Sequence, residues 1–169
     1  ENYMDPIFLE MMTLLGQRGW DEFLREWIRQ DRPFFGICLG LQALFDFSEE
    51  GQTEGLGIFP GTVRRFRFPR EAHLKVPHMG WNRVRFAAPS DELLDGIRPE
   101  GEAFYFVHSY YVLPETAGLI WGTTDYGPDS FCSAIRHGNL VATQFHPEKS
   151  QALGLRLYAN FINRIQCPA

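Results

Sequence analysis

The 169-residue chain is 44% hydrophobic and 15% aromatic, enough to bury a continuous core, which excludes a disordered tail or a small disulfide-stapled module. Sixteen Lys and Arg against 21 Asp and Glu leave a net charge of −5, so no basic field directs the chain to nucleic acid or to an anionic membrane surface. No run approaches the roughly 20 apolar residues of a bilayer span, and Glu1-Asn2-Tyr3-Met4-Asp5 has neither the basic nor the apolar region of a secretory signal. Cys38, Cys132 and Cys167 are widely spaced and odd in number, which fits a reducing, cytoplasmic setting and argues against a disulfide framework or a Cys-rich zinc site. No linker, low-complexity run or repeat divides the sequence, so a single domain over residues 1–169 is expected.

In chain order, Asp5 and Pro6 supply an N-cap and a proline at the first helical position, and Ile7, Phe8, Met11, Leu14 and Leu15 recur at helical spacing as far as Gly16. A second helix is expected from Asp21, burying Phe23, Leu24, Trp27 and Ile28 and ending before Pro33. The run Pro33-Phe34-Phe35-Gly36-Ile37, short and bounded by proline and glycine, predicts a strand buried on both faces of a parallel sheet. A helix through Leu41, Leu44, Phe45 and Phe47 is expected to follow at once. Residues 57–112 read as β structure rich in turns, with strands over Thr62–Phe66, Trp81–Phe86 and Ala103–Val107. Phe131–Arg136 and Leu140–Phe145 flank His137-Gly138-Asn139, a hairpin signal, and Ser150 is placed to cap a last helix through Leu153, Leu157, Phe161 and Ile165. This succession predicts an α/β fold with some antiparallel strands.

Gly36-Ile37-Cys38-Leu39-Gly40 sits where the buried strand turns into a helix and has the G-x-nucleophile-x-G pattern of a nucleophile elbow, with cysteine at its centre. Small residues two positions either side let the chain reverse, and a helix N-terminus beneath the thiol is expected to lower its pKa. The Leu39 N–H would face an oxyanion formed on the substrate. Taken alone, the plainer reading is a buried free cysteine beside two packing glycines. Gln144-Phe145-His146-Pro147-Glu148-Lys149 follows another apolar strand. Residues two apart on extended chain face the same way, and Pro147 between them is expected to hold that extension and lay His146 beside Glu148. A carboxylate so placed fixes the imidazole tautomer and leaves the second ring nitrogen free to exchange a proton with a thiol. By itself this too could be a surface turn. Nucleophile, base and orienting acid each at a strand end, where α/β folds bind ligands, are explained together by nucleophilic catalysis.

These two motifs resemble the class I (triad) glutamine amidotransferases. Within them the stretches Lys75 to Asn82, Phe106 to Tyr111, Gly122 to Gly127 and Gln144 to Ser150 are similar to the glutaminase subunits of imidazole glycerol phosphate synthase, a heterodimeric enzyme of histidine biosynthesis, from about Pro33 to the end of the chain. The resemblance implies a flavodoxin-like three-layer α/β fold with a central, mostly parallel sheet and additional antiparallel strands. It makes Cys38 the nucleophile, His146 the general acid/base and Glu148 its orienter. Leu39, Gln42, Glu50, Ser109 and Tyr110 fall at substrate positions, Glu50 meeting the ammonium of L-glutamine and the Ser109–Tyr110 backbone its carboxylate. Met79, Gly80, Trp81 and Asn82 correspond to the face that meets a (β/α)₈ cyclase subunit, which receives the ammonia; no cofactor, metal, nucleic acid or membrane is implied. The plainer alternatives are a polar helix residue for Gln42, a solvated charged turn for Glu50 and core packing for the Met-Gly-Trp stretch. Family members open with a strand–helix–strand unit whose Gly-rich loop gives a second oxyanion donor; no P-G-x-G segment precedes Cys38 here, and that unit is expected to be missing from these residues. Another class I amidotransferase, or a scaffold that binds a partner without turnover, remain as alternative functions.

Overall fold

The computed structural model describes residues 7–166; Asp5, Pro6 and Cys167 lie outside them. Helix α1 (Ile7–Gln17) and helix α2 (Trp20–Arg29) meet at Gly19, whose φ of 70° makes the sharp corner. Strand β1 (Phe34–Ile37) leads into a single helical turn, α3 (Leu39–Gln42). Strands β2 (Phe45–Ser48), β3 (Thr53–Glu54), β4 (Phe59–Arg65), β5 (His78–Phe86), β6 (Glu102–His108), β7 (Tyr110–Pro114), β8 (Ile120–Tyr126), β9 (Asp129–His137) and β10 (Leu140–Thr143) follow, and α4 (Gln151–Gln166) closes the described chain.

All ten strands join in one sheet, in the order β3-β2-β4-β7-β9-β8-β5-β6, with β10 also on β9 and β1 on β10. The expected α/β fold is present, but among the described residues antiparallel pairings are the majority rather than additions to a mostly parallel sheet. Within the described residues parallel pairing is confined to β1 with β10 and β2 with β4, and the remaining pairings are antiparallel. Alternation along the strands builds a core on each face of the sheet. Phe34, Val63, Val112 and Ile135 join Phe8 and Ile28 of the α1–α2 pair on one side, while Phe35, Val141 and Phe131 join Leu157 and Phe161 of α4 on the other. Helices, sheet and helix thus make three layers.

Several local expectations are corrected. The helix after the elbow stops at Gln42, and Phe45 to Ser48 is strand. The C=O of Leu44 accepts the N–H groups of Ile58 and Phe59 at 2.9 and 3.0 Å, and Phe45 is fully buried, so pairing with β4 outcompetes a second helical turn. On α2 the apolar stripe is narrower than expected: Ile28 is buried, whereas Phe23 stands exposed with Trp20 and stacks with it edge to face. Ile7 and Leu14 of α1 are also exposed. Ser150 does not cap α4 through its side chain, because its hydroxyl is engaged by the His146 and Tyr105 backbone.

Candidate active site

The elbow is built by β1 and β10. They run parallel with Ile37 opposite Thr143, and the Cys38 N–H extends the ladder by donating to the Thr143 C=O at 2.8 Å. Cys38 then turns to φ 51°, ψ −102°, a left-handed conformation that costs a Cβ-bearing residue about 1–3 kcal/mol and occurs where the surroundings enforce it. Of the two flanking glycines only Gly36 is sterically required: a Cβ there would come within 2.9 Å of the Gly40 C=O, whereas a Cβ on Gly40 meets nothing. This ladder places Cys38 beside Gln144, and the Gln144 Nε2 donates to its sulfur at 3.5 Å.

His146 lies two residues further on. Its N–H donates to the Tyr105 C=O at 2.9 Å, and its own C=O accepts from the Lys149 N–H at 3.0 Å and from the Ser150 hydroxyl at 2.6 Å. His146 and Glu148 meet, with Nδ1 to Oε1 at 2.6 Å, but not by extension: Pro147–Lys149 is a 3₁₀ turn, opened by the proline, that swings the carboxylate back onto the ring. The Tyr158 hydroxyl of α4 donates to the other Glu148 oxygen at 3.4 Å. A carboxylate can only accept, so a ring proton sits on Nδ1, and in the neutral imidazole Nε2 is the acceptor. That Nε2 is buried and without a hydrogen-bond partner among the described residues, the Cys38 thiol included.

The thiol pKa is corrected in direction. Burial pushes Cys38 up to about 11, and the charges of Glu50 and Glu148 add to the rise, against the N–H of Leu39 and the amide of Gln144. A helix of one turn carries too little dipole to reverse this. For Glu50 itself burial raises the pKa, and the N–H groups of Phe8 and Ile7 at the start of α1 oppose that rise. Gln42 is 2% exposed, its Nε2 donating to the Tyr110 C=O at 3.2 Å and to the Gln144 Oε1 at 3.1 Å, while its Oε1 is buried without a partner among the described residues. The Ser109 C=O accepts from the Phe66 N–H at 3.0 Å, tying the loop before Tyr110 to the end of β4.

Met79 and Trp81 project from one face of β5 and are 62% and 50% exposed, so the Met-Gly-Trp stretch is surface rather than core. Gly80 lies between them at φ 124°, and the Asn82 amide donates to the Asp125 C=O at 2.8 Å. Trp81 packs edge to face on Tyr105, whose C=O holds the His146 N–H, so this exposed face adjoins the His146 turn. No group of three or more His, Cys, Asp or Glu among the described residues could hold a metal, and no helix there is long and apolar enough to cross a membrane. Sequence reasoning gave no role to Gln144 or the buried pair His78 and His108, and gave Ser150 a helix cap instead of its place in the His146 turn. For Gln144 a signal was available: two residues before His146 in a stretch that reads as extended, it is expected to face the same way.

A thiol on a strand-to-helix elbow, beside an imidazole whose tautomer a carboxylate sets, is an arrangement fit for acyl transfer. The sequence model of the family "Glutamine amidotransferase class-I" matches residues 19–165, and the chain belongs to that family. Within it, the chain is 47% identical over 158 residues to imidazole glycerol phosphate synthase subunit HisH of Synechococcus sp. (strain JA-3-3Ab), covering 94% of this chain and 72% of that protein. The same subunit of Neisseria gonorrhoeae is 49% identical over 91% of this chain and 73% of its own length, and that of Microcystis aeruginosa 51% over 82% and 64%. A solved glutamine amidotransferase superposes with a TM-score of 0.64 at 16% identity, covering 92% of this chain and 72% of the other, and a glutamine amidotransferase of Thermotoga maritima with 0.55 at 17%, covering 89% and 55%. These structures share the fold.

Proposed function

We propose that the chain is the glutaminase subunit of an imidazole glycerol phosphate synthase, hydrolysing L-glutamine to glutamate and ammonia. The observation that carries the reading is the bare, buried Nε2 of His146, fixed by the 2.6 Å contact of Nδ1 with Glu148 at the strand end next to the Cys38 elbow. With its pKa near 11 the resting thiol keeps its proton, and Nε2 is the group able to take it as sulfur attacks the side-chain amide. The imidazolium then protonates the leaving nitrogen, ammonia departs, and Nε2 takes a proton from the water that opens the γ-glutamyl thioester. Leu39 N–H is the oxyanion donor on this chain. Glu50 receives the ammonium of glutamine, Gln42 Oε1 is the free acceptor beside it, and the Ser109–Tyr110 backbone takes the carboxylate. Once Glu50 is neutralised by that ammonium, one of the charges holding the thiol proton is gone, so substrate itself eases ionisation.

The exposed Met79–Asn82 edge, next to the His146 turn, is where a cyclase subunit docks, close to where ammonia is released. A thiol-directed glutamine analogue applied to the full-length protein, alone and with a (β/α)₈ cyclase, tests the chemistry: a mass adduct on Cys38 is expected, and its absence in both samples sinks the catalytic reading. Trp81→Ala is expected to weaken binding of the cyclase at least tenfold in a titration, as for a central aromatic anchor; unchanged affinity removes the proposed interface.

A further inference from the structure

A carbonyl oxygen can only accept a hydrogen bond, and one such oxygen sets the direction of a chain that ends on the nucleophile. The Tyr110 C=O receives the Gln42 amide at 3.2 Å and lies 2.7 Å from His108 Nδ1. The Gln42 atom facing it is therefore nitrogen, and the same nitrogen faces Gln144 at 3.1 Å. The Gln144 atom receiving that donor must be oxygen, which leaves its nitrogen as the atom that faces Cys38 Sγ at 3.5 Å. Turning the Gln42 amide round would set its oxygen against the Tyr110 oxygen, and turning the Gln144 amide alone would set its nitrogen against the Gln42 nitrogen. Gln42 and Gln144 are 2% and 0% exposed, so these contacts are made away from bulk solvent.

We propose that Gln144 is a positioning residue for the nucleophile: its side-chain N–H, aimed by Gln42 and the Tyr110 carbonyl, holds the Cys38 sulfur in line at the elbow. The inference rests on the reading of Cys38 as the nucleophile. Its consequence is electrostatic as well as geometric. Sulfur sits in a field that favours the neutral thiol, set by burial and by Glu50 and Glu148, with the Tyr110 hydroxyl and the His146 ring as the other titratable groups of the site. A donor locked onto sulfur strengthens as charge develops there, because a hydrogen bond to an ionised partner is worth about twice one to a neutral partner. Just beyond the end of β10, residues 144 and 146 thus serve the same sulfur, one by donating to it and the other by accepting its proton.

The test is the pH dependence of Cys38 alkylation by iodoacetamide in the full-length protein, with adducts assigned by peptide mass spectrometry so that Cys132 and Cys167 do not contribute. Alkylation requires no turnover, so it reports on Gln144 even if glutamine is not the substrate. Gln144→Met keeps the volume and removes the donor; the alkylation midpoint is expected to rise by about one pH unit, a tenfold smaller thiolate fraction below the midpoint. Gln144→Glu keeps an acceptor for Gln42 and sets a carboxylate against sulfur, and its midpoint is expected to rise further. Thermal unfolding identifies which variants are folded, and either alone suffices. A midpoint unchanged from wild type in a folded variant overturns the proposal.

Discussion

At the scale of single residues, an imidazole is only as well aimed as the group that aims it. Glu148 is gripped by the His146 ring at 2.6 Å and by the Tyr158 hydroxyl at 3.4 Å, which gives the two grips unequal weight. Glu148→Gln keeps the shape but can present an amide N–H to Nδ1, which moves the ring proton to Nε2 and removes the base. kcat for glutamine hydrolysis is expected to fall by about 10²–10⁴ with KM little changed, and Tyr158→Phe by less than about tenfold. Equal losses in the two variants would mean that the tautomer is not what Glu148 controls. The elbow glycines separate in the same way. Gly36→Ala collides with backbone and is expected to lower the melting temperature and abolish Cys38 labelling, while Gly40→Ala leaves both unchanged.

At the scale of elements, the His146 turn depends on a helix whose residues never reach the thiol. Gly154, on the first turns of α4, lies so close to the Pro147 carbonyl that a Cβ there would overlap it. Ser150 ties the same turn to β6, donating to the His146 C=O and accepting from the Tyr105 N–H at 3.0 Å. Gly154→Ala must push α4 off the turn, and its expected signature is a kcat loss of at least tenfold while Cys38 still alkylates at the wild-type rate, since the elbow belongs to β1. Loss of both together would mean that the sheet, not the turn, had moved. This division also accounts for what the sequence disclosed. Elbow, hairpin and closing helix are local patterns, and strand β1 with its glycine boundary was legible at once. Strand β2 was not, because Phe45-Asp46-Phe47 continues a helical spacing and becomes strand only through pairing with β4, which comes later in the chain. Glu148 was assigned to the right neighbour by the wrong geometry, since alternation and a proline-opened 3₁₀ turn both bring residues two apart together. Gln144 carries no chemical signature of its own and becomes meaningful only when Gln42, more than a hundred positions earlier, is seen to orient it.

At the scale of the whole molecule, the same sheet carries a buried pair that should make the fold acid-sensitive. His78 on β5 and His108 on β6 face each other in register, His78 Nδ1 to His108 Nε2 at 2.9 Å, enclosed by Phe66, Phe106, Phe131 and Tyr126. His108 Nδ1 must donate to the Tyr110 C=O, so its Nε2 accepts from His78, whose own Nε2 accepts from the Asn82 amide at 3.2 Å. Both rings are neutral in this chain, and burial holds His78 down to about 4 and His108 to about 3 from an ordinary 6.5. Below pH 6.5 the unfolded chain binds protons that the folded pair refuses, so the pair's favourable packing is fully expressed above that pH and is lost progressively as pH falls towards 4. Two such groups give a slope of up to about 2.7 kcal/mol per pH unit. His146 contributes to the charge felt by His108, so the measurement must be made by difference. Urea unfolding of wild type and His108→Gln at pH 7.5, 5.5 and 4.5 is expected to show stability falling less steeply in the variant, by about one proton's worth, or 1.4 kcal/mol per pH unit, below pH 5.5. Parallel pH profiles would mean that His108 is protonated, or hydrated, in the native sheet, and that the single direction of hydrogen bonding from Asn82 to Tyr110 does not hold.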